Sequence, residues 1–277
     1  MTPLPLVSFI VPFYNSGSTI LETLDSIKNQ SYSNYDIWII NDGSTDTKSL
    51  EVLKTLENQV GTHVLHQENA GPSVARNQAL SKTQAEFIVP LDSDDLIDAA
   101  ILSSAIATML ENPEVGVVYG DLSFFGEKSG KQEQEIFDLQ KQLLWNQIAA
   151  TCLIRKSVFD TCGYYDEKLS KLGLEDWEYW IRVYTAGFKF KKIEKIFFSY
   201  RISNASRTYT EANVHLEEIK KYVYEKHAVL LAKQFETLFY ERKMILETPD
   251  YRLGNLLLRP YRFVKSIFNQ SKQNQID

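Results

Sequence analysis

Three carboxylates stand within four residues in the segment Asp92-Ser93-Asp94-Asp95. The segment follows an apolar stretch typical of a buried strand and precedes a predicted helix. Like charges this close repel one another, and a divalent cation among them would relieve the repulsion. Hard oxygen ligands favour Mg²⁺ or Mn²⁺, usually shared with the phosphates of a substrate. The alternative is an aspartate-rich helix cap, where negative charge is also favourable.

Polar side chains also follow the other predicted strands. The first strand ends in Pro12, Tyr14 and Asn15, where the aromatic ring could stack on a nucleobase or pack half-buried. Asp42, within the turn sequence at 41–46, could accept hydrogen bonds from a base or a ribose, or could be a plain turn aspartate. Arg76, one turn into a helix that opens with Gly-Pro, could contact a phosphate, a base carbonyl or a neighbouring carboxylate.

The elements that must position these residues alternate between strand and helix patterns. Apolar runs predict strands over 6–13, 35–40, 62–66, 86–91 and 115–119. Helical spacing predicts helices over 19–29 and 98–110, one from Gly71-Pro72, and one capped by Asp46. The alternation predicts an α/β fold with a mostly parallel sheet between helices. Because ligands of such sheets bind at the carboxyl ends of the strands, the polar residues should converge there.

The rest of the chain divides into three parts. Residues 121–150 are polar, which predicts an excursion of loop and helix, and strand patterns return at 149–154 and 188–198. From about residue 212 the pattern is helical. We therefore expect a domain over 1–211 and a C-terminal helical extension over 212–277.

Composition excludes several classes of protein. The net charge of −6 and the pI near 5.4 disfavour a nucleic-acid partner. The two cysteines form no CxxC pair, and neither GxGxxG nor GxxxxGK[ST] occurs, so zinc, nicotinamide and P-loop sites lack support. No signal-peptide pattern or apolar run of about 20 residues is present, so the sequence predicts a cytoplasmic location.

Five stretches, in this order, resemble the motifs of family 2 glycosyltransferases, which have the GT-A fold. They are VSFIVPFYN at 7–15, INDGSTD at 40–46, NAGPSVARNQAL at 69–80, FIVPLDSDD at 87–95, and the pair GYYDE at 163–167 with GLEDWEYWIR at 173–182. The resemblance extends over roughly residues 5–208. It implies a GT-A-like nucleotide-binding fold and transfer of a hexose or N-acetylhexosamine from a nucleotide-diphosphate sugar, with a UDP-sugar as the expected donor.

The resemblance also implies a role for each matching position on the donor side. The donor-binding residues would be Pro12, Tyr14, Asn15, Asp42, Arg76, Asp92 and Ser93. Asp94, in the Asp-x-Asp motif, would bind Mn²⁺ or Mg²⁺ bridging the diphosphate, and Asp95 would orient the donor or support the site. The cation would offset the charge of the leaving group.

Asp176 would be the catalytic base that takes the acceptor's proton in a one-step, inverting displacement. Around it, Glu175, Trp177, Arg201 and Arg207 would support the site or contact the acceptor or the diphosphate. Trp177 or Trp180 could stack on a sugar ring, and for Trp180 packing in the core is an alternative. The alternative for this stretch is an acidic first helical turn followed by core residues.

Two departures from the family pattern bear on mechanism. Ser203 stands where many family members have a histidine that can bind the metal. A water molecule or Asn204 could take that place in the coordination of the metal. No QxxRW motif follows Asp176, so the sequence predicts transfer of single sugars rather than processive synthesis.

The segment 251–277 has five basic residues against one acidic residue and several large apolar residues. It could contact an anionic membrane surface on the cytoplasmic face of the inner membrane, or pack on the core or on another subunit. We expect an acceptor that is a glycan or is lipid-linked, in surface polysaccharide synthesis. The alternatives are a silent nucleotide-sugar- or glycan-binding protein and a sugar-phosphate nucleotidyltransferase.

Overall fold

A computed structural model describes residues 4–203 and 214–251, together with 253, 256 and 258. The chain divides into two compact units, Met1–Val223 and Tyr224–Asp277. The first unit thus includes part of the segment that the sequence assigns to the C-terminal extension.

The N-terminal part of the sheet is parallel, as the alternating pattern predicts. Its strands are β1 (Val7–Phe13), β2 (Tyr35–Asp42), β3 (Thr62–Gln67) and β4 (Phe87–Pro90), in the spatial order β3-β2-β1-β4. The connecting helices are α1 (Ile20–Lys28), α2 (Thr47–Leu56) and α3 (Pro72–Leu80). Asp46 caps α2 through Ser49 N, as predicted. Each strand therefore ends at the same edge of the sheet, where the polar loops follow.

The second half of the first unit adds antiparallel strands. Its elements are β5 (Leu96–Ile97), α4 (Ile101–Glu111), β6 (Val115–Gly126), β7 (Gly130–Gln132), α5 (Leu139–Gln142), β8 (Leu153–Arg155), α6 (Lys156–Cys162), a 3₁₀ turn (Glu167–Leu169), α7 (Glu175–Thr185) and β9 (Lys189–Ile202). The order continues β4-β8-β6-β9-β5, with β7 beside β6. β8 runs antiparallel to both neighbours, whereas β6 and β9 are parallel over most of their length.

The prediction of loop and helix over 121–150 is wrong at its start. β6 continues to Gly126, because its outer half pairs with β9 on one side and with β7 on the other. Leu122 and Phe124 alternate with Asp121 and Ser123, a short strand pattern that the polar composition of 121–150 as a whole obscures. The pairing of β6 with β9, which includes three register shifts, is set by distant parts of the chain.

Both faces of the sheet are covered. Along β1, Phe9, Val11 and Phe13 belong to one apolar cluster with α1 and α4, whereas Ile10 faces a second cluster with α3, α6 and α7. This arrangement explains the continuous apolar run of β1, because a strand buried on both faces has no polar side. Helix α8 (Leu216–Lys226) begins in the first unit, and its Ile219 and Val223 are buried. Helix α9 (Ala228–Glu247) lies in the second unit and has no buried residue.

Candidate active site

The loops after β1 and β2 are tied together by Asn15. Its side-chain Oδ1 accepts hydrogen bonds from the backbone N–H groups of Thr45 and Asp46 at 2.8 and 3.2 Å, and its own N–H donates to Ser44 Oγ at 3.0 Å. Asn15 adopts a positive φ of 51° to do this. Tyr14 beside it is half exposed, so its ring is open to a ligand at this edge.

Asp42 lies at the end of β2 and is almost completely buried. Its Oδ1 accepts from Gln67 Nε2 and Ala70 N, and its Oδ2 accepts from Gly71 N, each at 2.8 Å. The carboxylate thus fixes the loop that leads into α3, and contact with a nucleotide stays a prediction. Pro12 is buried within β1, opposite Ile40 of β2.

The acidic loop after β4 is anchored to the loop after β1 and to β9. Ser93 Oγ donates to Ser16 Oγ at 2.8 Å, which joins it to the loop after β1. Arg201, near the end of β9, donates its backbone N–H to Asp95 Oδ1 and its Nε to the Asp94 carbonyl, both at 2.8 Å. Its terminal nitrogen pairs with Glu22 at 2.6 Å. Arg201 therefore binds the loop itself, and contact with a diphosphate stays a prediction.

The carboxyl groups of this loop lie in a setting that disfavours their charge. Burial first, and then Asp92, raises the pKa of Asp94 to about 6. Burial, Asp92 and Asp94 together raise the pKa of Asp95 well above its usual range. Such groups gain from a cation placed among them.

The same loop is linked to α7 through Arg76 of α3. One guanidinium nitrogen of Arg76 pairs with Asp92 Oδ1 at 2.6 Å, and the other pairs with Glu175 Oε1. Arg76 is only 3% exposed, and its Nε has no hydrogen-bond partner. Burial alone would lower the pKa of the guanidinium, but Asp92 and Glu175 raise it. Of the alternatives for this arginine, the structure shows pairing with carboxylates: Arg76 and Glu175 are buried, whereas Asp92 is 46% exposed.

Asp176 is the second residue of α7, after Glu175, and Leu174 just before the helix has a φ of 55° that turns the chain into it. Its Oδ1 accepts from Trp177 N at 2.9 Å and its Oδ2 accepts from Asn146 Nδ2 at 2.8 Å. Burial, reinforced by Glu175, raises the pKa of Asp176 to about 7, whereas Asn146 lowers it. A carboxyl group that titrates near neutral pH suits general base catalysis.

The prediction for Trp177 is corrected by the structure. Its side chain is 1% exposed and its indole Nε1 donates to the Gln142 carbonyl at 2.5 Å, so no ring face is open to an acceptor sugar. Trp177 points into the core because the first turn of α7 packs against α5.

Sequence reasoning missed three residues of the site: Gln142, Asn146 and Ser170. Asn146 and Gln142 lie in the polar segment 121–150, which the sequence predicts as loop and helix. Nothing in the local sequence distinguishes these two amides from polar surface residues. Ser170 Oγ accepts from Ser73 N and Val74 N and so caps α3 from a distant loop, which no local pattern indicates. Arg207 and Asn204 lie outside the described residues, whereas Ser203 directly follows β9.

The oxygen-rich acidic loop fits a hard divalent cation by its chemistry. Among the described residues, however, no group of three His, Cys, Asp or Glu side chains is arranged as a metal cage. The fit is therefore to a cation held by one or two carboxylates and completed by substrate phosphates.

The family model for glycosyl transferase family 2 matches residues 8–165, more than half of the chain. The protein therefore belongs to family 2 of the glycosyltransferases, and it is a transferase enzyme. This membership confirms the resemblance carried by the strand-end motifs.

Relatives by sequence include a glycosyltransferase of Methanocaldococcus jannaschii, 25% identical over 228 residues, which cover 78% of this chain and 75% of the relative. The Escherichia coli β-1,3-glucosyltransferase WfgD is 32% identical over 150 residues, 53% of this chain and 56% of WfgD. Its full name describes transfer from UDP-Glc to α-D-GlcNAc-diphosphoundecaprenol.

Among solved structures, a 1–349 fragment of S. aureus TarS in complex with UDP matches with a TM-score of 0.61 and 25% identity. The match covers 71% of this chain and 60% of the fragment. The complex of the same fragment with UDP-GlcNAc matches with a TM-score of 0.64 and 22% identity, and it covers 75% of this chain and 61% of the fragment. These matches confirm the GT-A fold. In the part of the chain that the structure describes, no helix has the length and apolar character needed to cross a membrane.

Proposed function

We propose that this glycosyltransferase moves a single sugar from a UDP-sugar to a hydroxyl group of a glycan or lipid-linked acceptor, with inversion and with the help of Mn²⁺ or Mg²⁺. The cytoplasm is the proposed location, where nucleotide-sugars are available. WfgD, which uses a lipid-linked acceptor, and TarS, which binds UDP, support this choice of substrates.

One observation carries the proposal: Arg76 pairs with both Asp92 of the acidic loop and Glu175, the neighbour of Asp176. The bridge links the acidic loop to the turn of α7 that carries Asp176, although the two lie in distant parts of the sequence, and this supports one site that contains both. A donor held at the acidic loop would then present its anomeric carbon toward an acceptor hydroxyl at Asp176.

The residues divide the chemistry between them. Asp94 would hold the cation, which would offset the negative charge that the leaving nucleoside diphosphate gains, and Asp92 would lie near the ribose or the sugar of the donor. Tyr14 offers an open ring to the base of the nucleotide. Asp176 would take the proton of the attacking hydroxyl group, and its pKa of about 7 leaves a useful fraction ionised at neutral pH.

The first experiment is thermal unfolding of the protein with UDP, GDP, dTDP and their sugars, with and without Mn²⁺. A ligand that binds only the folded state raises the apparent stability. A rise with the uridine compounds that increases with Mn²⁺ supports the donor site. If the thermal stability rises with compounds of another base instead, the donor carries that base rather than uracil. If it rises with none of the compounds, the use of a nucleotide-sugar by this chain is contradicted.

The second experiment is transfer from the donor so identified to a GlcNAc-diphosphate-lipid acceptor. Release of the nucleoside diphosphate that depends on this acceptor, with inverted configuration in the product, supports the full proposal. Donor binding without any transfer to lipid-linked or free glycans would favour the silent binding protein instead.

A further inference from the structure

Asn146 reaches the proposed base from outside helix α7. Its Nδ2 donates to Oδ2 of Asp176 at 2.8 Å, and the other oxygen of Asp176 accepts from Trp177 N at 2.9 Å. Each oxygen therefore has one protein donor and a second lone pair left over. This is the arrangement that a base needs, because the carboxylate is held in place while one lone pair can accept a proton.

The orientation of the Asn146 amide is set by a buried neighbour. Gln142, which is fully buried, donates its Nε2 to Oδ1 of Asn146 at 3.3 Å and to the Trp177 carbonyl at 3.1 Å. Trp177 Nε1 donates back to the Gln142 carbonyl. Because Gln142 occupies the oxygen of the Asn146 amide, the NH₂ group of Asn146 is directed at Asp176.

We propose that Asn146 is a positioning residue for sugar transfer: it orients the Asp176 carboxylate and stabilises its ionised form without supplying a charge. This inference rests on the proposed function, which takes Asp176 as the base. It adds the segment around α5 to the catalytic machinery, as the part of the chain that keeps the base ready.

The charges around Asp176 explain why a neutral donor is needed. Glu175 on the same turn opposes ionisation and Arg76 from α3 favours it, while Cys152 and Tyr165 face the site as buried neutral groups. Arg76 is already shared between Asp92 and Glu175. A further cation on Asp176 would hold the carboxylate as an ion pair and reduce its basicity, whereas an amide stabilises the anion less strongly.

The first test needs no substrate and uses the full-length chain. Asn146→Ala is compared with the wild type by thermal unfolding at about pH 5.5 and pH 8.5, and the comparison is repeated in an Asp176→Asn background. We expect the loss of Tm to be larger at the higher pH, because the ionised carboxylate loses more than the neutral acid. In the Asp176→Asn background the loss should be the same at both values. An equal loss at both values in the presence of Asp176 would overturn the inference.

The second test measures transfer from UDP-GlcNAc or UDP-glucose to a GlcNAc-diphosphate-lipid acceptor as a function of pH. For Asn146→Ala we expect kcat to fall about 10- to 100-fold, the KM for the donor to change little, and the acid limb of the profile to rise by about one pH unit. Asn146→Asp keeps the shape but replaces the NH₂ donor, so it should not restore activity. An unchanged acid limb in both variants contradicts the inference.

A matched control and a further variant separate the possible failures. Asn112 donates its amide to the Thr108 carbonyl at 2.8 Å, far along the sequence from the site, so Asn112→Ala should leave the pH profile unchanged. If Asp176→Asn stays active, the proposed base is wrong. If Asp176→Asn is inactive and Asn146→Ala behaves like wild type, only the role of Asn146 is wrong.

Discussion

Asp176 and Asp94 are carboxyl groups of the same type in different surroundings, which fit the different roles proposed for them. Burial and Glu175 raise the pKa of Asp176 to about 7, whereas burial and Asp92 raise the pKa of Asp94 to about 6. Asp176 has hydrogen-bond donors on both oxygens, which suits a fixed base. Asp94 lies beside a second carboxylate, which suits sharing a cation.

Asp176→Asn should abolish transfer and leave donor binding almost intact. The amide keeps the shape of the side chain but cannot accept a proton, so we expect kcat to fall by about 10²- to 10⁴-fold. The measurement is turnover together with the thermal shift produced by the nucleotide donor. Transfer at the wild-type rate would show that another group acts as the base.

The rate of transfer should rise with pH through about pH 7. Asp176 must be ionised to act as a base, and its pKa in the folded protein lies above the ordinary value for aspartate, so the ionised fraction grows over this interval. The check is kcat as a function of pH at saturating donor. A rate that is flat from pH 5 to pH 8 would contradict the assignment.

Asp94→Ala should weaken donor binding only where a divalent cation takes part. Without this carboxylate we expect the gain in nucleotide affinity on adding Mn²⁺ to fall roughly tenfold, about 1.4 kcal/mol. Calorimetric titration of UDP with Mn²⁺ or with EDTA measures the difference. An undiminished gain would place the cation elsewhere.

At the scale of elements, Arg76 joins three parts of the fold: α3, which carries it, the loop after β4 through Asp92, and the start of α7 through Glu175. A buried arginine paired with two carboxylates is costly to break, because each removed partner leaves an uncompensated charge. The planar guanidinium can face both carboxylates at once, which a lysine ammonium cannot do as well.

Arg76→Met should therefore lower the free energy of unfolding by about 3–5 kcal/mol and reduce donor binding. The matched control is Lys156→Met, which removes a surface pair with Asp160, for which we expect less than about 1 kcal/mol. Denaturant unfolding of both variants provides the comparison. Similar losses in the two variants would mean that the buried bridge adds little to stability.

The order of the N-terminal elements could be predicted from the sequence, because β1 and β2 are apolar runs followed by dense turn signals. Asp46 as a cap was likewise readable, since its partner lies three residues away. The bridge from Arg76 to Glu175 and the contact of Asn146 with Asp176 could not be read, because each depends on how distant segments pack. The resemblance to family motifs indicated Asp92, Asp94 and Asp176 as candidate site residues, but it did not indicate which side chains hold them in place.

At the scale of the whole molecule, local patterns indicate the main strands of both halves of the sheet, but they do not indicate how the strands of the second half pair. β8 has three residues and is inserted between β4 and β6, so its place depends on the strands on either side. All the buried hydrophobic residues described lie between Val7 and Val223, within the first unit. The residues proposed to act in catalysis and the described core thus belong to the same unit.

The segment 251–277 remains a predicted membrane contact. Its sequence combines five basic residues with large apolar ones, and such segments bind anionic surfaces. Deletion of 251–277 should reduce binding to vesicles that contain anionic lipid and leave the thermal unfolding of the core unchanged. Vesicle flotation of both proteins tests this, with neutral vesicles as control. Equal binding after the deletion would contradict the prediction.

The long-range bridges also have a consequence for how the chain matures during synthesis. Ser170 caps α3 from 97 residues downstream of Ser73, and Glu175 reaches Arg76 from 99 residues downstream. While the ribosome is still translating the middle of the chain, α3 lacks both the Ser170 cap and the Glu175 carboxylate that pairs with Arg76. The N-terminal half carries the residues proposed to bind the donor, yet we expect it to bind a nucleotide only after α7 has emerged and docked.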